Sequence, residues 1–545
     1  MTIQTDANPN RIRFVRLWGN MVDTSKPASS HGQDQEVASV RQPYLGRWWW
    51  WRWGRRRGPP ERAARRPAPP HPAPPRHPRT ALSTAVLGRR WSRLPRELTT
   101  LELRVSDVLP RRYRGGLALR RSRASAPELE ALIARCERRA MRAFADGVAG
   151  LLEADGGDGD DRRRAKSLRV EFFPTAESGC VDRLIPTAVG SWGVQDLEVV
   201  ARPPHLDHLS IFANDGPAAY AFPHHCLDDE LHRSRLRSLT LANCAPPPLH
   251  RYGALAELVL RDMPASTPAA AYQRLFTARS PLEVLRLLSC GCAGERRLVV
   301  SAPGSRLREL VVDGCTFTAI ELRTLPMLER LACLTNSVKL RLGGAAGVPR
   351  LGHVNLSFSR KSAGFFLEGA ATVASLAVRF TGPERWIAAR PLGTTLSALT
   401  RLLVADVPPS WDGTWTRVLL MAAPALEVMH IHVASAPEAP EDGKPGREIS
   451  WPAFKFLHRR LREVALAGFG RTWRQIFFVR YLARVCKALQ RVLLLKNWCV
   501  REMGLWEWEL VQQQECPWSE EEMVVRRQVK YGKYWCRPQL EVIVG

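Results

Sequence analysis

The chain has no uninterrupted apolar stretch of the roughly 18 residues that a membrane-crossing helix needs, which excludes an ordinary transmembrane segment. Negative charge is scarce: 53 acidic residues face 80 basic ones, a net charge of +27. Such a deficit can mark a partner that is nucleic acid or an anionic membrane. Here much of the excess is arginine between Arg41 and Arg123, in Pro-rich or loop-like sequence, with a further run at Arg162, Arg163 and Arg164. No RNP motif, zinc-finger spacing or P-loop accompanies it, so neither nucleic acid nor membrane is the expected partner. The 12 cysteines lack the close C-x2-C pairs of a zinc site. Cys290 and Cys292 form only a C-x-C, and Cys499, Cys516 and Cys536 sit beside no histidine cluster. The N-terminal MTIQTDANPNRIRF carries no apolar run of a secretory signal, and the expectation is a reducing compartment, cytoplasmic or nuclear. G-x-S-x-G, H-E-x-x-H and phosphate-binding glycine loops are missing as well. His224 and His225 precede Cys226, but this triplet reads as a loop between repeats rather than a nucleophile with its base. No catalytic residue, metal or cofactor is expected, and the chain does not read as an enzyme.

What recurs instead is leucine. LRSLTLANC places Leu236, Leu239, Leu241 and Cys244 on the template L-x-x-L-x-L-x-x-[N/C]. Leu282, Leu285, Leu287 and Cys290 repeat it, as do Leu307, Leu310, Val312 and Cys315. Looser copies start at Leu168, Val194, Leu206, Leu255, Leu328, Leu351, Val373, Leu399, Leu426, Leu461 and Leu489. Steps such as 19 (Leu236 to Leu255) and 25 (Leu282 to Leu307) fall near the roughly 20 to 29 residues of a leucine-rich repeat. Each copy predicts a short strand with inward leucines, its last Asn or Cys satisfying backbone groups in the turn, so that stacked copies share one core. The expected fold class is α/β, a leucine-rich-repeat solenoid.

Recognition would then use the strand positions that point away from the leucine core: Thr240, Val259, Arg286, Val311, Asn355, Leu403 and His430. Of these, Thr240, Arg286, Asn355 and His430 are the polar candidates for holding an unidentified target protein along one concave face. The mixed character of the set names no substrate, and any single member can be a plain sheet-covering residue.

Before the repeats lies Leu101, Leu103 and Val105, a first strand, and then a helix with Leu129, Leu132, Ile133, Cys136, Phe144, Val148 and Leu151 at three- and four-residue steps. After them, an acidic Pro-rich loop, SAPEAPEDGKPGREI, precedes LREVALAGFGRTWRQIFFVRYLARVCKALQRVLLL: strand, glycine turn, helix and strand. On that helix Ile476, Val479, Leu482, Ala483 and Cys486 share a face.

Between Arg47 and Pro78 the composition changes to WWWWRWGRRR followed by GPPERAARRPAPPHPAPPRHP. At face value this is a stacking or membrane-seeking patch and a polyproline-like arginine-rich linker. From Thr80 the sequence TALSTAVLGRRWSRLPRELTTLELRVSDV brings Leu82, Val86, Leu87, Trp91 and Leu94 to helical spacing. This helix resembles the second half of an F-box as carried by the large plant family of F-box proteins with leucine-rich repeats and a C-terminal FBD-type domain. The region around the GF turn at residues 468–469, and the tail WEWELVQQQECPWSEEEMVVRRQVKY ending in LEVIVG, resemble the same family's closing segment. The resemblance covers about residues 80–545. In the family the helix is preceded by a segment much like DRLSALPDDLLLRILSRLDTR. If the codons allowed for Gly58 to Pro78 are regrouped one base later, they can spell DRLSALPDDLLLRIL, one variable residue and RLDT. The tryptophan codons TGG regroup to GGT, glycine. One such match is easy by degeneracy, but a long ordered run is not, and it predicts a local frame displacement that begins before Trp48 and is corrected near Arg79.

The resemblance implies four parts: 1–79, a disordered Trp/Arg/Pro-rich segment; 80–98, a partial F-box helix; 99–455, the repeat solenoid; and 456–545, an FBD-like cap. It also implies a function, substrate recognition within a cullin-type ubiquitin ligase, with Leu82, Val86, Leu87 and Trp91 packing on the Skp-type adaptor or on the missing half of the F-box. These four can equally be the apolar face of a helix on the solenoid's end. Proline removes backbone donors and clashes with the preceding turn, so the run at 59–78 cannot form the docking helix, and adaptor binding by this chain should be weak or absent. Two alternatives remain: a ligase-independent protein-binding scaffold, and a basic nucleic-acid or membrane-surface binder acting through Arg55 to Arg79.

Overall fold

Alternation of apolar and polar residues buries one face of a strand and leaves the other for contact, and the alternation seen from Leu101 onward is laid out in that way. The computed structural model describes residues 99–122, 127–155, 164–203, 219–223, 234–249, 252–276, 281–334, 338–358, 367–380, 395–407, 416–434, 456–513, 521–530 and 539–545. The chain divides into two units, Met1–Pro72 and Ala73–Gly545, and every described residue belongs to the second. The segment 1–79, the helix at 80–98 with Leu82, Val86, Leu87 and Trp91, the triplet His224, His225 and Cys226, the acidic loop at 435–449, Cys516 and Cys536 all lie outside the described residues, as does the repeat copy starting at Leu206.

The second unit is an α/β structure built on one 15-stranded sheet. Its strands are β1 (Thr100–Arg104), β2 (Ser167–Phe172), β3 (Asp196–Ala201), β4 (Ser238–Ala242), β5 (Glu257–Arg261), β6 (Val284–Leu288), β7 (Glu309–Asp313), β8 (Arg330–Leu334), β9 (His353–Phe358), β10 (Ser375–Phe380), β11 (Arg401–Val407), β12 (Val428–Val433), β13 (Glu463–Ala467), β14 (Arg491–Leu495) and β15 (Glu541–Val544). They lie in chain order and every neighbouring pair is parallel. Each strand buries its inner face in the same cluster of core residues.

The register converts the leucine pattern into two ladders. Leu168, Leu197, Leu239, Leu258, Leu285 and Leu310 stand side by side, continued by Leu331, Val354, Leu376, Leu402, Met429, Val464 and Val492. Two residues further along each strand, Val170, Val199, Leu241, Leu260, Leu287 and Val312 begin the second ladder. These side chains belong to one cluster of buried residues that runs from Leu101 to Val544. Each fully buried leucine contributes about 1.5 to 3 kcal/mol relative to exposure. The strands β13, β14 and β15 of the C-terminal segment extend the same sheet in register with β12, so this segment adds strands to the sheet rather than sitting apart from it.

The turns explain the cysteine position of the template. The thiol of Cys290 donates to the Leu260 carbonyl at 3.5 Å, and that of Cys315 to the Leu287 carbonyl at 3.3 Å, each reaching the preceding strand. The Cys290 amide in turn donates to the Cys315 sulfur at 3.4 Å. Burial raises the Cys315 thiol well above its ordinary range and pushes that of Cys244 up to about 12, so both remain protonated donors. Asn243, Asp262, Ser289 and Gly314, just past β4 to β7, take left-handed backbone conformations with φ between 51° and 63°.

Two features of the back layer were not legible as repeats. A second parallel sheet of four strands (Arg297–Ser301, Ala319–Thr324, Lys339–Leu342 and Leu367–Glu368) covers part of the core with Leu298, Ile320, Leu322 and Leu340. The helix Pro127–Asp155 covers the N-terminal end: Met141, Phe144, Val148 and Leu151 enter the main core, while Ile133 and Cys136 pack with Tyr113 of the helix Arg111–Ser122. Leu129 and Leu132 are partly buried beside that second cluster. Near the C-terminus the helix Trp473–Val485 starts with a capping box: the Gln475 amide donates to Thr472 Oγ1 at 3.3 Å, and the Thr472 amide to Gln475 Oε1 at 3.4 Å. It buries Phe478, Val479 and Leu482, followed by Cys486, with Ile476 and Ala483 partly buried.

Candidate protein-interaction surface

Because the ladder residues point inward, the residue between them on each strand points out. The register aligns these as one column: Arg169, Glu198, Thr240, Val259, Arg286, Val311, Ala332, Asn355, Ala377, Leu403, His430 and Ala465. The candidates Thr240, Arg286, Asn355 and His430 thus share one face of one sheet, and their environments divide into two.

Over β2 to β6 the face is a lattice of paired charge. Arg169 reaches Glu198 at 3.4 Å, Arg261 reaches Glu198 at 3.7 Å, and Arg286 bridges Glu257 at 3.4 Å and Glu309 at 3.0 Å. Thr240, Val259 and Arg286 are half-buried here. Since these arginines pair with glutamates across the strands, this half is close to electrically balanced in spite of the net charge of the chain.

Over β7 to β12 the face is covered by the chain itself. An antiparallel hairpin, Trp498–Glu502 paired with Trp508–Gln512, lies across it. Leu505 packs on Val311 and Ala332, with Leu288, Leu334 and Trp506 around them. Trp508 packs on Ala377, Leu403 and Ala405, with Val500 beside it. Asn355, only 5% exposed, donates through Nδ2 to the Leu505 carbonyl at 2.8 Å. Trp506 Nε1 donates to Glu309 Oε2 at 3.1 Å, and Trp508 Nε1 to His430 Nδ1 at 3.1 Å. The Arg401 guanidinium lies 4.1 Å from the centre of the Trp508 ring and also reaches the Trp508 carbonyl at 3.4 Å. Arg379 pairs with Glu502 of the hairpin and with Asp406.

His430 is fixed in one tautomer by these partners. Its Nδ1 accepts from Trp508, so Nε2 carries the proton toward Glu463 Oε1 at 3.2 Å. Burial holds this imidazole below its usual range, reinforced by Arg401 and opposed by Glu463.

The leucine template therefore located the outward positions, but it did not show that Asn355, Val311 and Leu403 are buried beneath a distant segment. Leu505, Glu309 and Arg401 are singled out by no motif of the sequence, and Trp506 and Trp508 enter its reading only as part of the closing segment, not as site residues. The signal available was the alternation in Trp506, Glu507, Trp508 and Glu509 just after Gly504, which reads as a strand following a turn. Elsewhere, Cys290 and Cys292 are buried, and among the described residues no group of three or more His, Cys, Asp or Glu is arranged to hold a metal ion. Also among the described residues, no helix is long and apolar enough to cross a membrane. No protein-family model matches the chain, and the comparison with curated proteins finds no match.

Proposed function

We propose that the chain is the target-recognition subunit of a cullin-type ubiquitin ligase, of the F-box type with leucine-rich repeats and an FBD-like C-terminal segment, and that the outward column of its large sheet contacts the target protein. The observation that carries this reading is the succession of parallel strands in chain order, each with two buried ladder positions around one outward position and with Cys290 and Cys315 turned onto the strand before. Strands stacked on nearest neighbours in this way make a long continuous surface, the kind used to hold other proteins. On this reading Thr240, Val259 and Arg286 meet the target directly, and the helix at 80–98 meets the Skp-type adaptor through Leu82, Val86, Leu87 and Trp91.

Adaptor docking is the step this particular sequence impairs, because Pro59 to Pro78 stand where the docking helix would be. The test is capture of a Skp-type adaptor by two full-length chains: the sequence as given, and one with the regrouped segment in place of residues 58–78. The second should bind and the first should not. Equal capture by both would refute this account of the proline run, and capture by neither would refute the ligase assignment. The same proline run favours a second reading, a ligase-independent scaffold that holds its target without marking it for degradation. In that case the chain as given captures its target without changing that protein's lifetime.

A further inference from the structure

The hairpin Trp498–Gln512 pairs its two strands with each other rather than with the large sheet. Its strands pair from Trp498↔Gln512 to Glu502↔Trp508, the Met503 amide donates to the Glu507 carbonyl at 3.0 Å, and Gln513 N donates to the Asn497 carbonyl at 2.7 Å at the base. The parallel ladder beneath it is likewise paired strand to strand, with one irregularity between Val404 and Val407. The hairpin can therefore leave the face as a unit without breaking a ladder hydrogen bond of either sheet.

What lies beneath it is shaped for tryptophan. Each indole rests on small or aliphatic side chains and its N–H ends on an acceptor built into the face, Glu309 for Trp506 and His430 for Trp508. Arg401 stacks on the second ring and Arg379 holds a carboxylate of the hairpin. One position is only half served: Asn355 Nδ2 has the Leu505 carbonyl, whereas its buried Oδ1 has no partner. A buried acceptor left without a donor is unfavourable. An extended segment presents N–H and C=O groups along its length and can serve both atoms of this amide.

We propose that this face is a binding site for a partner-protein hairpin bearing Trp-x-Trp on one strand with a carboxylate opposite the second tryptophan on the other, as Glu502 stands opposite Trp508, and that the chain's own hairpin closes the site by occupying it. The inference rests on reading the outward sheet face as the recognition surface. It divides that surface into a half over β2 to β6 that the hairpin does not cover and a half over β7 to β12 that opens on displacement of the hairpin.

The test uses a fluorescein-labelled peptide of residues 498–512 as probe, with binding read by anisotropy. The full chain should bind it at least tenfold more weakly than the full-length W506A/W508A variant, whose own hairpin is poorly seated. A control peptide with alanine at both tryptophans should bind neither chain. Equal binding to the two chains, or binding to neither, overturns the proposal. A second measurement needs no variant: in the unaltered chain, the hairpin amides should exchange with deuterium at least tenfold faster than the amides of β4 to β6, after correction for intrinsic rates. Hairpin amides that exchange only together with those strands would make the hairpin a permanent part of the fold, and the proposal would fail. Neither arm involves the adaptor, so the ligase reading stands or falls separately on the capture experiment.

Discussion

Mild acid should loosen the hairpin, and His430 gives both the sign and the size of the effect. The ring accepts a hydrogen bond from Trp508 Nε1–H at Nδ1 and donates from Nε2 to Glu463. Protonation places a second N–H at Nδ1, pointing donor at donor, and adds positive charge beside Arg401. Burial is the main cause that holds this imidazole below its ordinary range in the seated state, with Arg401 acting in the same direction and Glu463 against it. With the hairpin released, the ring regains solvent and moves back toward about 6.5. A base depressed in the seated state binds more protons once released. The stabilisation it provides is therefore complete above about pH 6.5 and declines as pH falls from there toward the depressed value. For a single group the slope is at most about 1.4 kcal/mol per pH unit, or about tenfold in the opening equilibrium. The assay is deuterium exchange of hairpin amides between pH 7.5 and 5.5, corrected for intrinsic rates, in the full chain and in His430→Gln. Protection should fall severalfold or more in the former and change much less in the latter. Unchanged hairpin protection on acidification, or an equal loss in both chains, would refute the reasoning.

Two substitutions test the rest of the fold. Leu310→Ala removes a fully buried ladder residue between Leu285 and Leu331 and should cost about 2 to 5 kcal/mol, read as a lowered urea midpoint, whereas Thr240→Ala on the outward face should stay within about 0.5 kcal/mol. Similar midpoints for the two would mean that the ladders do not carry the stability. Gly468→Ala should lower the thermal midpoint, because φ there is +72° and an added Cβ would meet the Val433 carbonyl oxygen at 2.2 Å. The left-handed conformation alone costs a side chain about 1 to 2 kcal/mol. Gly253→Ala, with nothing within 4 Å of the added carbon, is the control, and a matching loss there would remove the explanation.

How much of this was legible in the sequence follows from the range of the interactions involved. Leu239, Leu241 and Cys244 are set by a strand and the turn after it, so their spacing alone predicts which side chains point inward and which thiol faces a carbonyl. The helix Pro127–Asp155 and the strand, turn and helix from Glu463 to Val485 were readable for the same reason. The second sheet was less legible, because Arg297–Ser301, Ala319–Thr324 and Lys339–Leu342 are short and pair only with strands of that same sheet.

By itself, then, the sequence determined a periodic chain of strands with a buried and an outward side, since period and side-chain chemistry are local properties. Only the tertiary structure decided which outward positions remain accessible. Asn355 and Leu505 are 150 residues apart, and Trp506 and Glu309 are 197 apart. No periodicity encodes that meeting. It arises because the hairpin's apolar side chains find their cover on a sheet face left uncovered by the repeats.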